Sequence, residues 1–367
     1  MKKMKLNAIS ATLITSPFLV YYLASNITKK GFEMQTIQMA HGSGGVQSNR
    51  LIEQVFKKYL GEFLVADGED GGVFDTKEGR YVSSTDSYVV SPLVFAGGDI
   101  GKLSICGSSN DVAMMGAIPR FITIGFILEE GLEIALLEQI LESMAVELRR
   151  GGLKILSADT KVVGRGSVDK IFINTTAIGE VVRDVSVGRL EKGDAIILSG
   201  SVGNHGGVIF CARNEIALTS SLKSDCKQLY GMLEGVFASG VELHALRDAT
   251  RGGLASVLNE WAHSCRRDIL IEEEAIRVVD EVRGICEILG LEAYALANEG
   301  VCVLAVPKSC AQEVLEILRA HEDGREASII GEIVKKTTQD SRVILQNAWG
   351  SKRFLDYPQG ELLPRIC

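Results

Sequence analysis

Phe121-Ile-Thr-Ile-Gly-Phe-Ile-Leu is an apolar run too short for a membrane span and too continuous for a surface strand. A run of this kind is buried in a sheet. Glu133 to Arg150 follows as an amphipathic helix, stopped by Gly151-Gly152. Lys154-Ile-Leu and Ile171-Phe-Ile-Asn-Thr-Thr-Ala-Ile then supply two further strands. Strand, long helix, strand and strand in this order require a helix laid across a sheet, which sets the class as α/β (α+β).

The same alternation continues on both sides. Ser48–Tyr59 reads as a helix and Tyr81 to Val90 as a strand with polar punctuation. Gly101 to Met115 has helical spacing, with Leu103, Cys106, Val112 and Met115 on one side, and Pro119 ends it. A second unit begins near Asp194-Ala-Ile-Ile-Leu. It has expected helices around 206–215, 226–238, 252–264 and 310–321, and expected strands near 269–272, 301–306 and 328–334. With 367 residues, 46% of them hydrophobic, the chain has material for about two cores. The expected domains are 35–182 and 183–345. Residues 346–367 read as a tail punctuated by Gly350, Pro358, Gly360 and Pro364.

Residues 1–34 precede this pattern. Lys2, Lys3 and Lys5 stand before an apolar stretch from Leu6 to Ala24, which alone reads as a signal peptide or marginal anchor. Met34 offers a second start, directly before the short strand at Thr36-Ile-Gln38. The expectation is an upstream extension without functional meaning, with a targeting segment as the alternative. The net charge of −8 argues against a broad nucleic-acid surface. The eight cysteines form no CxxC pair and no zinc spacing, so each internal one reads as a small buried apolar residue. Cys367 differs, because a thiol at that position has no downstream structure to pack into.

Three signals carry chemistry. Ala40-His-Gly-Ser-Gly-Gly45 could let backbone amides approach phosphate oxygens, although no Lys-Ser/Thr follows as in a Walker A loop. Asp70, Asp86, Asp99, Asp111, Asp159 and Asp248 sit at loop-like positions, many beside glycine; as a set they suit Mg²⁺ bridging to nucleotide phosphates, and singly each suits a helix cap or turn. Lys161 could neutralise phosphate, and Glu299 could act as a general base or be a turn carboxylate. The third signal is Leu363-Pro-Arg-Ile-Cys367. From Pro358 an extended chain reaches about 30 Å, enough to present the thiol to a partner and return it to a cleft.

In order along the chain, Ala40-His-Gly-Ser-Gly-Gly, Thr85-Asp-Ser, Gly97-Gly-Asp-Ile-Gly-Lys-Leu, Asn110-Asp-Val-Ala-Met-Met-Gly-Ala, Phe126-Ile-Leu-Glu-Glu-Gly, Asp159-Thr-Lys-Val-Val, Arg247-Asp-Ala-Thr-Arg-Gly-Gly, Ala297-Asn-Glu-Gly and Pro364-Arg-Ile-Cys resemble the HypE family of hydrogenase-maturation proteins. The resemblance covers residues 35–367. It implies a two-domain AIR-synthase-like (PurM-like) fold with a flexible C-terminal tail, shared with aminoimidazole ribonucleotide synthetase and selenophosphate synthetase. It implies a cytoplasmic homodimer joined mainly through N-terminal-domain sheets, and ATP with Mg²⁺. It also implies a reaction. A HypF-like carbamoyltransferase loads Cys367, ATP-dependent dehydration leaves a thiocyanate, and the cyano group passes to iron on a HypC–HypD complex.

By matching motif, the resemblance assigns catalytic roles to Cys367, Lys161 and Glu299. It assigns ATP or phosphate binding to His41, Gly42, Ser43, Gly44, Gly45, Asp86, Asn110 and Asp159, and metal binding to Asp70, Asp111 and Asp248. Gly71-Gly72, Ser157-Ala158 and Asn204 depart from the usual pattern without removing any of these groups. The competing readings are a selenophosphate- or AIR-type synthetase acting on a soluble substrate, a non-enzymatic scaffold, and a membrane-anchored protein.

Overall fold

The computed structural model describes residues 35–66, 71–214, 221–336 and 340–358. Asp70 and Cys367 lie outside the described residues. After a 3₁₀ turn at Met39–Gly42, α1 (Val46–Leu51) runs through a π turn (Ile52–Phe56) into α2 (Lys57–Leu60). Then come β1 (Tyr81–Tyr88), the small hairpin of β2 (Val94–Phe95) and β3 (Gly98–Asp99), and α3 (Ile100–Met114). β4 (Ala117–Glu129), α4 (Ile134–Gly151), β5 (Lys154–Val163) and β6 (Ile171–Val181) complete this half.

Its sheet has the order β1-β6-β4-β5, with β4 and β5 parallel and the other pairs antiparallel. On β4, Ile122, Ile124, Phe126 and Leu128 are buried, while Thr123, Gly125 and Ile127 point to the other face. α3 packs on the buried face. Its backbone meets β1 so closely that a side chain at Gly107 would overlap the Tyr88 hydroxyl. The polar groups enclosed there are satisfied: Thr175 donates to the Ser104 carbonyl at 2.9 Å, and Ser108 bonds both Thr175 at 2.6 Å and Tyr88 at 3.3 Å. Asp99 caps α3, accepting from Lys102 N at 2.9 Å.

The second half holds β7 (Asp194–Leu198), α5 (Asn204–Arg213), α6 (Tyr230–Ser239), β8 (Ala245–Asp248), α7 (Gly253–Cys265) and β9 (Asp268–Glu272). It continues with α8 (Asp280–Leu289), β10 (Cys302–Pro307), α9 (Ala311–Ala320), β11 (Ser328–Val334), β12 (Val343–Gln346) and β13 (Lys352–Leu355). The sheet order is β13-β12-β9-β11-β7-β10-β8. β7 is buried along its whole length. Ile196 and Leu198 pack with Leu258 and Trp261 of α7, and Ala195 and Ile197 with Leu233 of α6 and Leu315 of α9. A central strand covered on both faces explains why Ala-Ile-Ile-Leu does not alternate with polar residues.

Several features differ from the sequence expectation: α3 ends at Met114 and Pro119 lies inside β4, and Asp86, Asp111 and Asp159 lie within β1, α3 and β5 rather than at loop positions. α6 begins at Tyr230 rather than near 226, because the preceding residues run irregularly and bond to the first half of the chain. β2, β3, β8, α8 and β12 had no forecast. The stretch from residue 346 enters the sheet through β13, although three of its four residues are exposed. No helix among the described residues is long and apolar enough to cross a membrane.

Candidate active site

The two halves meet at several places, among them one extended segment, Ser224 to Leu229, beside which Ala113 and Met114 of α3 pack with Met232 and Leu246. Ser224 N donates to the Ala96 carbonyl of the β2–β3 hairpin at 2.8 Å. Asn110, buried on α3, accepts Leu229 N at 2.8 Å and donates to the Lys227 carbonyl at 3.0 Å and the Glu299 carbonyl at 3.5 Å. Gln228 donates to the carbonyl and carboxylate of Glu147 on α4. The turn Asn298-Glu299-Gly300 lies against this seam. Asn298 is fully buried; it accepts Gly203 N at 2.7 Å and donates to the Ala249 carbonyl at 2.9 Å.

Acidic groups gather there from four elements. β1 contributes Asp86, α3 Asp111, the end of β8 Asp248, and the 298–300 turn Glu299. Ser84, two residues before Asp86 and on the same face of β1, donates to the Asp111 carboxylate at 2.7 Å. Burial raises the Asp111 pKa and the Asp86 charge adds to it, against the Ser84 hydrogen bond and the opposing charges of Arg247 and Arg251. Burial likewise pushes Asp248 up to about 7, with Asp111 and Asp86 as the added like charges. Glu299 is pushed well above the ordinary range, first by burial and then by Cys226, Asp248, Asp225 and Asp86. Tyr88 is raised too, by burial and then by the charges of Asp86, Glu299 and Asp111, against the Ser108 hydrogen bond.

Burial, and after it the neighbouring carboxylates, thus favours the protonated forms of Asp111, Asp248 and Glu299. Among the described residues no three His, Cys, Asp or Glu side chains converge closely enough to hold a metal alone. The chemistry still suits Mg²⁺, which takes hard oxygen ligands and is commonly held by one or two carboxylates with phosphate oxygens and water.

The remaining expected residues stand elsewhere in the chain. Asp159 and Lys161 form an exposed ion pair of 2.8 Å on β5, the opposite edge of the first sheet from β1. Lys161 holds the Asp159 pKa below its usual value. Register runs Ser87–Asn174–Gly125–Asp159, so Asp159 lies three strand spacings, about 14 Å, from β1 and on the face away from α3. The His41–Gly45 turn lies on that same edge, with Gly42 against Val162. Its groups bond mainly within the turn: His41 Nδ1 accepts Gln38 N, Ser43 donates to the Met39 carbonyl, and Gly44 N donates to Ser48 Oγ. Gly44 has φ +77°, which favours glycine, and Gly45 begins α1. Burial lowers the His41 pKa and so favours the neutral imidazole.

The expected set thus divides. Asp86, Asn110, Asp111, Asp248 and Glu299 come together at the seam; His41, Gly42, Ser43, Gly44, Gly45, Asp159 and Lys161 share the β5 edge. Sequence reasoning missed Ser84, Tyr88, Asp225 and the role of Asn298. Only Asn298 stood inside a quoted motif; the others are recognised by bonds to residues distant in sequence.

Two family models match: AIR synthase related protein, N-terminal domain, over residues 68–181, and AIR synthase related protein, C-terminal domain, over 191–344. The chain is 45% identical over 342 residues to the carbamoyl dehydratase HypE of Escherichia coli K12, covering 91% of this chain and all of that protein. A crystal structure of the hydrogenase maturation protein HypE in complex with ATP superposes with TM-score 0.86 at 40% identity, covering 90% of this chain and all of that one. The structure of a HypE–HypF complex matches with TM-score 0.74 at 38% identity, over 86% of this chain and all of that chain.

Proposed function

Because the chain belongs to the HypE family of carbamoyl dehydratases, we propose that it dehydrates a carbamoyl group carried on Cys367, at the expense of ATP, in nickel–iron hydrogenase maturation. The observation that carries this reading is the enclosed acidic set at the seam, with Glu299 at its buried end.

The chemistry has two stages. The carbamoyl oxygen takes the γ-phosphoryl group of ATP, releasing ADP. The carbon–oxygen bond then breaks with phosphate leaving, the nitrogen loses its two protons, and the sulfur retains a cyano group. An amide oxygen is a poor leaving group, and phosphorylation makes it a good one. Glu299 is the proposed general base: a carboxylate with a raised pKa is a stronger base once ionised, and burial excludes competing water. Asp111 and Asp248, with Asp70, would hold Mg²⁺, which when bound offsets charge at the transferring phosphoryl group. Asp86 would face the nucleotide phosphates. Asn110, whose amide is committed to backbone groups, would act by holding the seam.

Lys161, Asp159 and the His41–Gly45 loop would complete this site from a second copy. The chain carries Asp159 and Lys161 on the opposite edge and face of the first sheet from Asp86, and the His41–Gly45 loop on that same edge. A homodimer formed through those sheets would bring the two groups together. A HypF-like carbamoyltransferase is the proposed donor partner and a HypC–HypD complex the proposed acceptor. A reduced thiol and ATP point to the cytoplasm. The proposed domains are 35–182 and 183–345.

The test is to incubate the chain with a HypF-like partner, carbamoyl phosphate and ATP, and to weigh the C-terminal peptide. A carbamoyl group should appear, followed by ATP-dependent loss of water. Cys367→Ala should show neither change; undiminished ATP-coupled product formation by that variant would favour a synthetase acting on a soluble substrate.

A further inference from the structure

We propose that Asp225 is a positioning residue for Glu299, its carboxylate holding the turn that presents the base. The inference rests on the reading of Glu299 given above. Asp225 Oδ2 accepts the backbone N–H groups of Glu299 at 3.0 Å and Gly300 at 2.8 Å. Oδ1 accepts the backbone N–H of His205, in the first turn of α5, at 3.0 Å. One side chain therefore joins three elements: the seam, the helix start and the turn carrying the base. Hydrogen bonds to a charged acceptor are roughly twice as strong as neutral ones, so this clamp is stiffer than an ordinary loop contact.

The rest of the turn is held in matching fashion. The Glu299 carbonyl accepts Lys227 N at 3.3 Å, two residues beyond Asp225. The main chain of Glu299 is thus gripped at both its N–H and its C=O by one short segment. Gly300 has no room for a side chain, because a Cβ there would overlap the Asp225 carbonyl. Ser224, the neighbour of Asp225, accepts Cys226 N at 3.1 Å and bonds the His205 ring at 2.8 Å, which orients the segment itself. Such packing leaves Glu299 few alternative positions, and displacement of a base by about 1 Å can cost on the order of 100-fold in rate.

Asp225→Asn keeps the shape but turns an N–H₂ group toward at least one of the three donors. The expected result is a fall of about 100-fold in single-turnover dehydration at saturating ATP. Carbamoylation of Cys367 and KM for ATP should stay within about twofold, which separates lost positioning from lost binding or folding. Asp225→Ala, which removes every acceptor without adding an opposing N–H₂ group, is the second variant and should likewise slow dehydration by at least about 100-fold. Parent-like dehydration in both variants, or parallel loss of carbamoylation, ATP affinity and dehydration, would overturn the proposal. Glu299→Gln separates the premise: if it dehydrates normally, the base assignment itself fails. If it is silent while Asp225→Asn is normal, only the positioning role fails.

Discussion

Ser84 on β1 donates its hydroxyl to the carboxylate of Asp111 on α3 at 2.7 Å. This contact steadies one member of the acidic set against the sheet, and hydrogen bonds to charged groups contribute about 1.5–3 kcal/mol. Ser84→Ala should leave carbamoylation intact and slow dehydration by roughly tenfold, the equivalent of about 1.4 kcal/mol. Asp86→Asn and Asp111→Asn should permit carbamoylation and block dehydration. Mass analysis of the C-terminal peptide reads both steps; normal dehydration in the Asp variants would remove them from the site.

Asp248 carries a pH prediction. Its pKa is about 7 in the folded chain against about 4 when unfolded. Between those values the folded state binds more protons than the unfolded state, so this group makes stability fall as pH rises, levelling above about 7. Asp248→Asn removes that dependence. Urea titrations should show the variant gaining on the parent by on the order of a few kcal/mol between pH 4 and 8; parallel profiles would contradict the assignment. Mg²⁺ with ATP should raise the parent melting temperature more at pH 8 than at pH 6, because the ionised form is the one a cation stabilises.

The proposal that a second copy completes the site gives a complementation test. Lys161→Ala and Glu299→Gln should each be inactive in dehydration. Mixed dimers place both substitutions in one site and leave the symmetry-related site intact. Random mixing of equal amounts should restore about a quarter of parent activity. No recovery above the separate variants would mean that both residues serve the same subunit.

Gly107 offers a folding prediction. Gly107→Ala pushes a methyl group into the Tyr88 hydroxyl on the neighbouring strand. Overpacking of this kind costs about 1–3 kcal/mol, measurable by urea denaturation. Asn110→Ala should cost a similar amount, about 1–3 kcal/mol, by stranding the buried Leu229 N–H.

Much of the fold was legible from periodicity. The existence of β4 and the long face of α4 follow from the apolar pattern, and the Gly152 stop is a left-handed helix end with φ 63°; the continuous run did not reveal that only one face of β4 is buried, with Ile127 exposed on the other. β13 was not legible, because Lys352, Arg353 and Phe354 are all exposed and no polar–apolar rhythm marks an edge strand this short. Around the acidic set, the motifs marked which residues to inspect without saying which of them meet. Asp159 and Asp86 look alike in sequence, yet the pleat and strand order send them to opposite faces and edges. Asp225 carried no signal at all. A carboxylate that accepts main-chain N–H groups 74 and 75 residues away has no local spacing to read.

Pairing of β13 with β12 sets the length of a tether. Leu355 is anchored in the sheet, and the twelve residues from there to Cys367 span at most about 40 Å. On the proposed reading, with Cys367 carrying the substrate group, the linked thiol would meet the cleft at an effective concentration of order millimolar. The substrate group therefore needs little affinity of its own, and its delivery is governed by linker length: lengthening the segment after Leu355 should dilute the thiol gradually, while shortening it past the span should end turnover abruptly.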